Sequence, residues 1–229
     1  VCKKMVNYSL VKQDKETIEK ILAQRSHLRF MQYCWQDKSE DFKIGIHTRE
    51  LCRQIDIAFE DFKKGKSTFL VVKMPFRHGK SQILSRFLPS HFLGEFPDKE
   101  VMLVTYASSL TEKFSRYARN LLSTKQYKEL YPNIELSNQN RGVQSWGIEG
   151  HLGQVTASGL TSGLTGNGYH LGLLDDYCAS RKDAESDVIR ASSWESFKDD
   201  FLTRRAPVSI TIVLATPWHV DDIIGRIEK

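Results

Sequence analysis

Long apolar runs and paired cysteines are both missing from this sequence of 229 residues. A membrane-spanning helix needs about 18 consecutive apolar residues. No stretch of this sequence comes near that length, and its mean hydropathy is −0.41. We therefore expect no membrane span. The four cysteines, Cys2, Cys34, Cys52 and Cys178, include no C-x-x-C pair, so neither a zinc site nor a redox motif is indicated. Because the first residues also lack the apolar segment of a secretory signal, we expect free thiols in a reducing, intracellular setting.

Glycine and proline are scarce, with 14 and 6 residues, which excludes collagen-like and broadly disordered classes. The length corresponds to about one and a half domains of ~150 residues, which favours one large domain with extra terminal segments. The net charge of +5 is concentrated at the start, since the first thirty residues carry seven basic and three acidic side chains. The rest carries 26 basic and 25 acidic residues, so any site for a polyanion must be local.

Alternating strand and helix patterns predict an α/β fold with a mostly parallel sheet flanked by helices. Strands are predicted at 68–72, 101–106, 170–174 and 210–215, helices at 14–34, 47–64, 109–122 and 186–203, and short β segments within 143–160. A further helical stretch is expected to run to about Phe87 and to end near Pro89. We divide the chain into an N-terminal helical segment, residues 1–65, that packs on a core of residues 66–229.

A phosphate-binding loop is indicated by Gly79-Lys80-Ser81, which lies where a strand gives way to a helix. Glycine lets backbone N–H groups approach phosphate oxygens, and the helix N-terminus adds partial positive charge. Lys80 is expected to reach the β- and γ-phosphates of ATP, and the Ser81 hydroxyl to bind Mg²⁺. Met74 stands where the G-x-x-x-x-G-K-S/T pattern has its first glycine, so the standard motif is not met and a basic surface turn is the alternative.

The neighbours of this tripeptide complete the candidate ATP-binding set, which is Arg77, His78, Gly79, Lys80, Ser81 and Gln82. Arg77 has two interpretations, contact with the γ-phosphate or an ion pair with a nearby carboxylate. His78 is interpreted as a residue that shapes the loop.

Two acids, Asp175 and Asp176, follow the apolar strand pattern of 171–174. Phosphoryl transfer needs one carboxylate near the Mg²⁺ and another that positions the attacking water, and these are the roles expected for Asp175 and Asp176 respectively. The alternative is an ordinary strand-end turn, where Asp is common. Since ligands of such sheets bind at the carboxyl ends of the strands, both elements are expected at one edge.

Three ordered motifs resemble one family, the large terminase subunit of tailed bacteriophages, in its N-terminal ATPase domain. The first, Met74–Ser81, is similar to the family's P-P-R-H-G-K-S loop. The second is the glycine-rich turn Leu164–Gly168, followed by the acidic strand end Leu173–Asp176. The third, Leu214–Asp222, is similar to the T-R-W-H-x-D-D segment. The resemblance covers roughly residues 30–229.

The resemblance implies a Mg²⁺-dependent P-loop ATPase that drives double-stranded DNA into a procapsid. Members of the family assemble as a homo-oligomeric ring, usually a pentamer, on a portal protein, and work with a small terminase subunit. The setting implied is the cytoplasm of an infected bacterial host. A C-terminal nuclease domain follows in the family, and we expect it to be absent from this chain, which stops just after Arg226.

The resemblance also implies roles for single residues. Asp175 matches the Mg²⁺-associated acid, together with Ser81. Asp176 takes the place of the catalytic carboxylate, which is more often Glu, and Glu185 is the reserve candidate. Thr216 resembles the coupling residue that links loss of the γ-phosphate to domain motion, with a strand-end cap as the alternative. His47 lies where relatives place an adenine-side residue, with an ordinary helix-start residue as the alternative.

The charge-stabilising arginine of the family has no direct counterpart, because Asn167 occupies the usual position. Arg77, in the same subunit, is the first candidate, and Arg116, Arg119 and Arg141 are candidates that would act on a neighbouring subunit. Lysines 63, 64 and 66 could contact DNA phosphates, although a solvated helix end explains them better.

Three rival functions are compatible with the residues. These are another nucleic-acid-stimulated P-loop ATPase such as a helicase-like motor, a small P-loop kinase, and a nucleotide-dependent interaction module without turnover.

Overall fold

The computed structural model describes residues 8–35, 44–164 and 166–229, with the backbone alone for residues 8–13. Cys2 and Thr165 of the sequence predictions lie outside this description. The helices are α1 (Tyr8–Arg25), α2 (His27–Cys34), α3 (Ile46–Lys63), α4 (Leu88–Glu95), α5 (Ser108–Leu121), α6 (Lys125–Leu130), α7 (Arg181–Glu185), α8 (Asp187–Glu195) and α9 (Ile223–Ile227). π-Helical turns occupy Gln82–Phe87 and Ser196–Phe201, and a 3₁₀ turn occupies Leu202–Arg204.

Seven strands form one sheet in the order β1-β7-β6-β2-β5-β4-β3. They are β1 (Thr68–Lys73), β2 (Glu100–Thr105), β3 (Leu136–Arg141), β4 (Ser145–Ile148), β5 (Gln154–Gly159), β6 (Tyr169–Asp175) and β7 (Arg205–Ala215). The first five strands in this order, β1, β7, β6, β2 and β5, are parallel to one another. Strand β4 pairs antiparallel with both β5 and β3. The predicted mixed α/β fold with a mostly parallel, helix-flanked sheet is therefore confirmed.

Alternate residues of the central strands enter two separate hydrophobic clusters. In β2, Val101 and Leu103 belong to the larger cluster, whereas Met102 and Val104 belong to the smaller one. Because successive side chains of a strand point to opposite faces, the two clusters lie on the two faces of the sheet. Burial on both faces explains why these strands read as continuous apolar runs and not as alternating patterns.

The larger cluster includes side chains from the helices that precede β1. Phe30 of α2 is fully buried and stacks on His91 of α4, with ring centroids 4.4 Å apart. His27 and His91 face each other through their Nδ1 atoms, 3.0 Å apart. Each Nε2 atom contacts a backbone carbonyl, that of Ile83 at 2.9 Å and that of Gln24 at 3.0 Å. The described part of the N-terminal segment thus packs against α4. The domain boundary at residue 65 stays a prediction.

Several local predictions were wrong. Pro89 does not end a helix, because it occupies the first turn of α4 directly after the π-helical turn, where the α-helical hydrogen-bond ladder starts again. The single helix predicted over 14–34 is broken at Ser26, whose extended backbone separates α1 from α2. β3 was missed because its polar sequence, Leu136–Arg141, forms an edge strand that needs no apolar face.

None of the helices in the described ranges is long and apolar enough to cross a lipid bilayer.

Candidate nucleotide-binding site

The carboxyl ends of three neighbouring parallel strands bring the predicted motifs together. Lys73 at the end of β1 pairs with Ala215 of β7, and Asp175 at the end of β6 pairs with Leu214. The loop after β1, the second aspartate and Thr216 consequently share one edge of the sheet. This is the position at which open α/β sheets bind ligands.

The loop between β1 and the following helix depends on left-handed backbone at two residues. Gly79 has a φ of 78° and Arg77 a φ of 60°. Apart from its two chain neighbours, no described residue has a heavy atom within 4 Å of the position that a Cβ on Gly79 would take. The requirement for glycine is therefore one of backbone conformation and not of space. The amide of Ile83 donates to the carbonyl of Gly79 at 2.9 Å, which starts the helix at the loop. The loop and the helix N-terminus are therefore arranged to surround an anion.

Lys80 is held among three partners at the centre of the site. Its side chain is only 6% exposed, and Nζ lies 3.1 Å from Oδ1 of Asp176. The ammonium also donates to Oγ1 of Thr216 at 2.7 Å. In addition, it lies 5.2 Å from the ring centroid of Phe76, a cation–π contact. Because a buried ammonium needs a counter-charge, the contact with Asp176 stabilises Lys80 in this structure.

Asp175 is fully buried, and its two carboxylate oxygens have different surroundings. Oδ2 accepts a hydrogen bond of 2.6 Å from the hydroxyl of Ser85. Oδ1 is buried without a hydrogen-bond partner in the described residues. Burial, with a smaller effect from the charge of Asp176, raises the pKa of Asp175 to about 6, against the lowering effects of hydrogen bonding by Ser85 and Ser81 and of the Lys80 charge. An orphaned carboxylate oxygen of this kind suits a cation or a water molecule of its hydration shell.

The donor set fits Mg²⁺ bound together with a nucleotide. Among the described residues, no group of three His, Cys, Asp or Glu side chains gathers to form a complete metal site. Mg²⁺ commonly keeps several water molecules and binds through one or two carboxylates plus substrate phosphates. Ser81 and Asp175 are the residues present here that could hold it in this way.

Asp176 lies directly outside the strand end with a φ of 45°, the second non-glycine residue of the described chain with left-handed backbone. Its amide donates to the carbonyl of Leu214 at 3.0 Å, and its carbonyl accepts from the amide of Tyr106 at 3.1 Å. These bonds to β7 and to the end of β2 hold the residue in an unfavourable conformation, as is often seen at functional sites. The side chain is 28% exposed and is therefore accessible to solvent.

Thr216 joins the end of β7 to the phosphate loop. Its hydroxyl accepts from Lys80 and donates to the carbonyl of Met74 at 3.0 Å. The next turn is braced from within, since a carboxylate oxygen of Asp222 accepts from the amides of Trp218 and His219 at 3.1 and 3.4 Å. Trp218 also contacts Phe76, with ring centroids 5.3 Å apart, so this turn touches the phosphate loop.

A family model for the N-terminal part of the large terminase subunit, T4-like-virus type, matches residues 72–224, which include the whole of this site. The chain belongs to the terminase large-subunit family. A mutant of the large terminase ATPase domain from Thermus phage P74-26 has a similar structure, with a TM-score of 0.51 and 14% identity over 82% of this chain and 69% of that one. At that identity the likeness shows the fold alone. A search among curated proteins finds no match.

The remaining candidate residues of this terminase chain lie at different distances from the cluster around Lys80. The Nδ1–H of His78 donates to the carbonyl of Phe76 at 2.8 Å, which fits a loop-shaping residue. His47 is close to the loop, since its ring lies 5.6 Å from that of His78. Gln82 accepts from Arg86 at 2.8 Å within the π-helical turn, and Arg77 is exposed at the tip of the loop.

Glu185, the reserve carboxylate, lies at the end of α7 with its side chain 68% exposed, 3.7 Å from Arg181. Its ion-pair partner, Arg181, is on the same short helix. Asp176, which contacts Lys80 directly, is therefore better placed than Glu185 to act on a bound nucleotide.

The candidate arginines and lysines differ in how far they are engaged. Arg119 donates to the carbonyl of Arg141 at 2.7 Å, whereas Arg116 is exposed on α5. Asn167 donates to Oγ1 of Thr156 at 3.2 Å. Lys63 lies within 4.0 Å of both Glu60 and Glu95, in keeping with a solvated helix end.

Two members of the site were missed by sequence reasoning. Phe76 contacts Lys80 through its ring, and Ser85 bonds to Asp175. For Ser85 a signal was present, because it follows Ser81 by four residues, a spacing that places two side chains on one side of a helix.

Proposed function

We propose that this terminase chain binds Mg²⁺ and ATP at the loop after β1 and hydrolyses the ATP to drive double-stranded DNA into a procapsid. One observation carries the proposal: Lys80, Asp175, Asp176 and Thr216 converge at the ends of three adjacent parallel strands, beside a loop and helix N-terminus suited to phosphate. Membership of the terminase family supplies the biological context.

Each residue has a separate role in the proposal. Lys80 exchanges Asp176 and Thr216 for the β- and γ-phosphates, because a phosphate offers the buried ammonium more negative charge than one carboxylate. Asp176, released from Lys80 and open to solvent, orients the attacking water. Mg²⁺, held through Ser81 and Asp175, would neutralise charge on the phosphates. Thr216, bonded to both the loop and Lys80, would transmit the change of partner to β7.

The assembly around the chain is also a proposal. By analogy with the family, the chain acts in a homo-oligomeric ring, a pentamer, on a portal protein, with a small terminase subunit as a further partner. Arg77 is exposed at the loop tip and is the first candidate to stabilise charge on the γ-phosphate, while exposed Arg116 is available for a neighbouring subunit. The host cytoplasm is the compartment in which such a motor would work.

The test is steady-state release of phosphate by the wild type and by Lys80→Ala, each with and without double-stranded DNA. Loss of the central ammonium is expected to lower turnover by about 100-fold or more, as for other electrostatic groups of active sites. Lys182→Ala is the matched control, because it removes an exposed lysine of α7 with the same change of charge.

Three outcomes would contradict the proposal. Nucleotide binding without turnover at any protein concentration would favour an interaction module, and turnover that needs a small phosphate acceptor would favour a kinase. Equal activity of Lys80→Ala and Lys182→Ala would show that the loop is not the site. A rise of specific activity with protein concentration would support the ring.

A further inference from the structure

Ser85 and Asp175 form a buried pair next to the phosphate loop. Neither side chain is exposed, and the hydroxyl of Ser85 lies 2.6 Å from Oδ2 of Asp175. A serine hydroxyl in an apolar core needs a partner, but a backbone carbonyl could provide one, as Ala118 does for Ser90 in the next helix. The bond from Ser85 is instead made to the one fully buried carboxylate of the described site.

The position of Ser85 depends on the helix that follows the loop. The hydroxyls of Ser81 and Ser85 both lie by the carboxylate of Asp175, at the end of β6. The residues from Gln82 to Phe87 form a π-helical turn, an arrangement that is rare and is found frequently at functional sites. The turn continues directly from the residues that would surround the phosphates.

The bond from Ser85 makes the two oxygens of Asp175 unequal. Oδ2 already has a donor, whereas Oδ1 is buried with no hydrogen-bond partner in the described part of the chain. A carboxylate that rotated about its Cβ–Cγ bond would lose the donor from Ser85 inside a low-dielectric environment, which is costly for a charged group. Ser85 therefore fixes the orientation of the carboxylate and leaves Oδ1 free to accept from another ligand.

We propose that Ser85 is a positioning residue that orients Asp175 toward the Mg²⁺ of the bound nucleotide. This inference rests on the proposed function, since it assigns a role to a partner of the same site. Partners that orient metal-associated side chains in this way typically contribute a factor of 10 to 100 to metal affinity. The hydroxyl acts through Asp175 and need not touch ATP itself.

The experiment is a titration of a fluorescent ATP analogue against the full chain, once in EDTA and once over a series of Mg²⁺ concentrations. For Ser85→Ala we expect affinity in EDTA within about twofold of the wild type, because the loop and Lys80 are unchanged. We expect the Mg²⁺ concentration that gives half-maximal tightening to rise by about 10- to 100-fold.

Ser90→Ala is the matched control. It also removes a fully buried hydroxyl that makes one hydrogen bond, of 2.7 Å, but to a backbone carbonyl on α5. Ser85→Cys is the second variant, since the thiol fills nearly the same space and is a weak donor, so it keeps the test informative if Ser85→Ala does not fold. Ser85→Cys is expected to shift the Mg²⁺ dependence in the same direction.

The outcomes separate the two proposals. If Ser85→Ala and Ser85→Cys show the same Mg²⁺ dependence as Ser90→Ala, the positioning role of Ser85 is refuted while the proposed function stands. If the wild type binds no nucleotide with or without Mg²⁺, the proposed function fails and this inference fails with it. A shift confined to the Ser85 variants supports the role.

Discussion

Replacing Asp176 with asparagine separates the two roles that this residue has in the proposal. The substitution keeps the shape of the side chain and removes its charge. Asparagine tolerates the left-handed backbone that position 176 requires, at a φ of 45°, about as well as aspartate does. The change therefore tests the carboxylate without imposing a new backbone cost.

The expected magnitudes follow from the contacts of Lys80. Removal of the carboxylate ends the ion pair at 3.1 Å but leaves the hydrogen bond from Lys80 to Thr216. Asp176 is 28% exposed, and the amide oxygen of asparagine can still accept from the buried ammonium of Lys80, so the lost charge is worth about 1 kcal/mol. ATP no longer has to displace a carboxylate from Lys80, so its affinity should stay equal or rise by up to about fivefold. Hydrolysis should fall by about 10²- to 10⁴-fold, the usual contribution of a positioned base.

The assay combines ATP binding at equilibrium with phosphate release at saturating ATP. Glu185→Gln is the control, because it neutralises the rival carboxylate, which is 68% exposed and paired with Arg181. We expect this variant to keep the wild-type rate within about twofold, as surface substitutions outside a site usually have small effects.

Any of three results would refute the reasoning. Asp176→Asn that hydrolyses ATP at more than a tenth of the wild-type rate would show that Asp176 does not position the water. A large loss in Glu185→Gln alone would transfer that role to α7. A fall in ATP affinity for Asp176→Asn would contradict the exchange of partners at Lys80.

Two further predictions concern stability and are checked by urea unfolding. Phe30→Ala should lower the free energy of unfolding by about 3–5 kcal/mol, since the ring is fully buried. Leu152 is 84% exposed, so Leu152→Ala should change this free energy by less than about 0.5 kcal/mol. Equal effects of the two substitutions would contradict the packing of Phe30. Burial lowers the pKa of His27 to about 4 and that of His91 well below its usual value. The unfolded chain therefore binds more protons below pH 6.5, and stability should fall from pH 6.5 toward 4 by up to about 1.4 kcal/mol per pH unit for each histidine. Replacing both histidines with glutamine should flatten this dependence of stability on pH, and an unchanged slope would refute the role of the two histidines. The wild type must be compared with this variant, because Asp175, with its pKa raised to about 6, changes stability with the opposite sign.

Local sequence patterns were sufficient to predict most of the helices and strands and to identify the family. The central strands are buried on both faces, so each reads as a short continuous apolar run whatever its partner is. The loop and the acidic strand end were found from residue types and their order, and the segment around Thr216 was found from the resemblance to the family. Phosphate binding at a strand-to-helix junction needs particular residue types in a fixed order along the chain.

Other features depend on contacts between distant residues, which a local pattern does not contain. The polar edge strand β3 exists because β4 is available to pair with it, and Pro89 is accommodated because a π-helical turn precedes it. The sequence did not show that Lys80 contacts both Asp176 and Thr216, and the catalytic role of Asp176 over Glu185 stays a prediction.

Local sequence patterns were enough to predict the α/β class, the strands near the site and the family, because strand burial and the order of the motifs can be read from short segments. Which side chains meet at the site depends on the folded domain. Ser85 and Asp175 are ninety residues apart in the chain and 2.6 Å apart in the fold. That contact exists because the sheet order brings the end of β6 against the helix that follows β1, and the order of strands is set by packing of the whole domain.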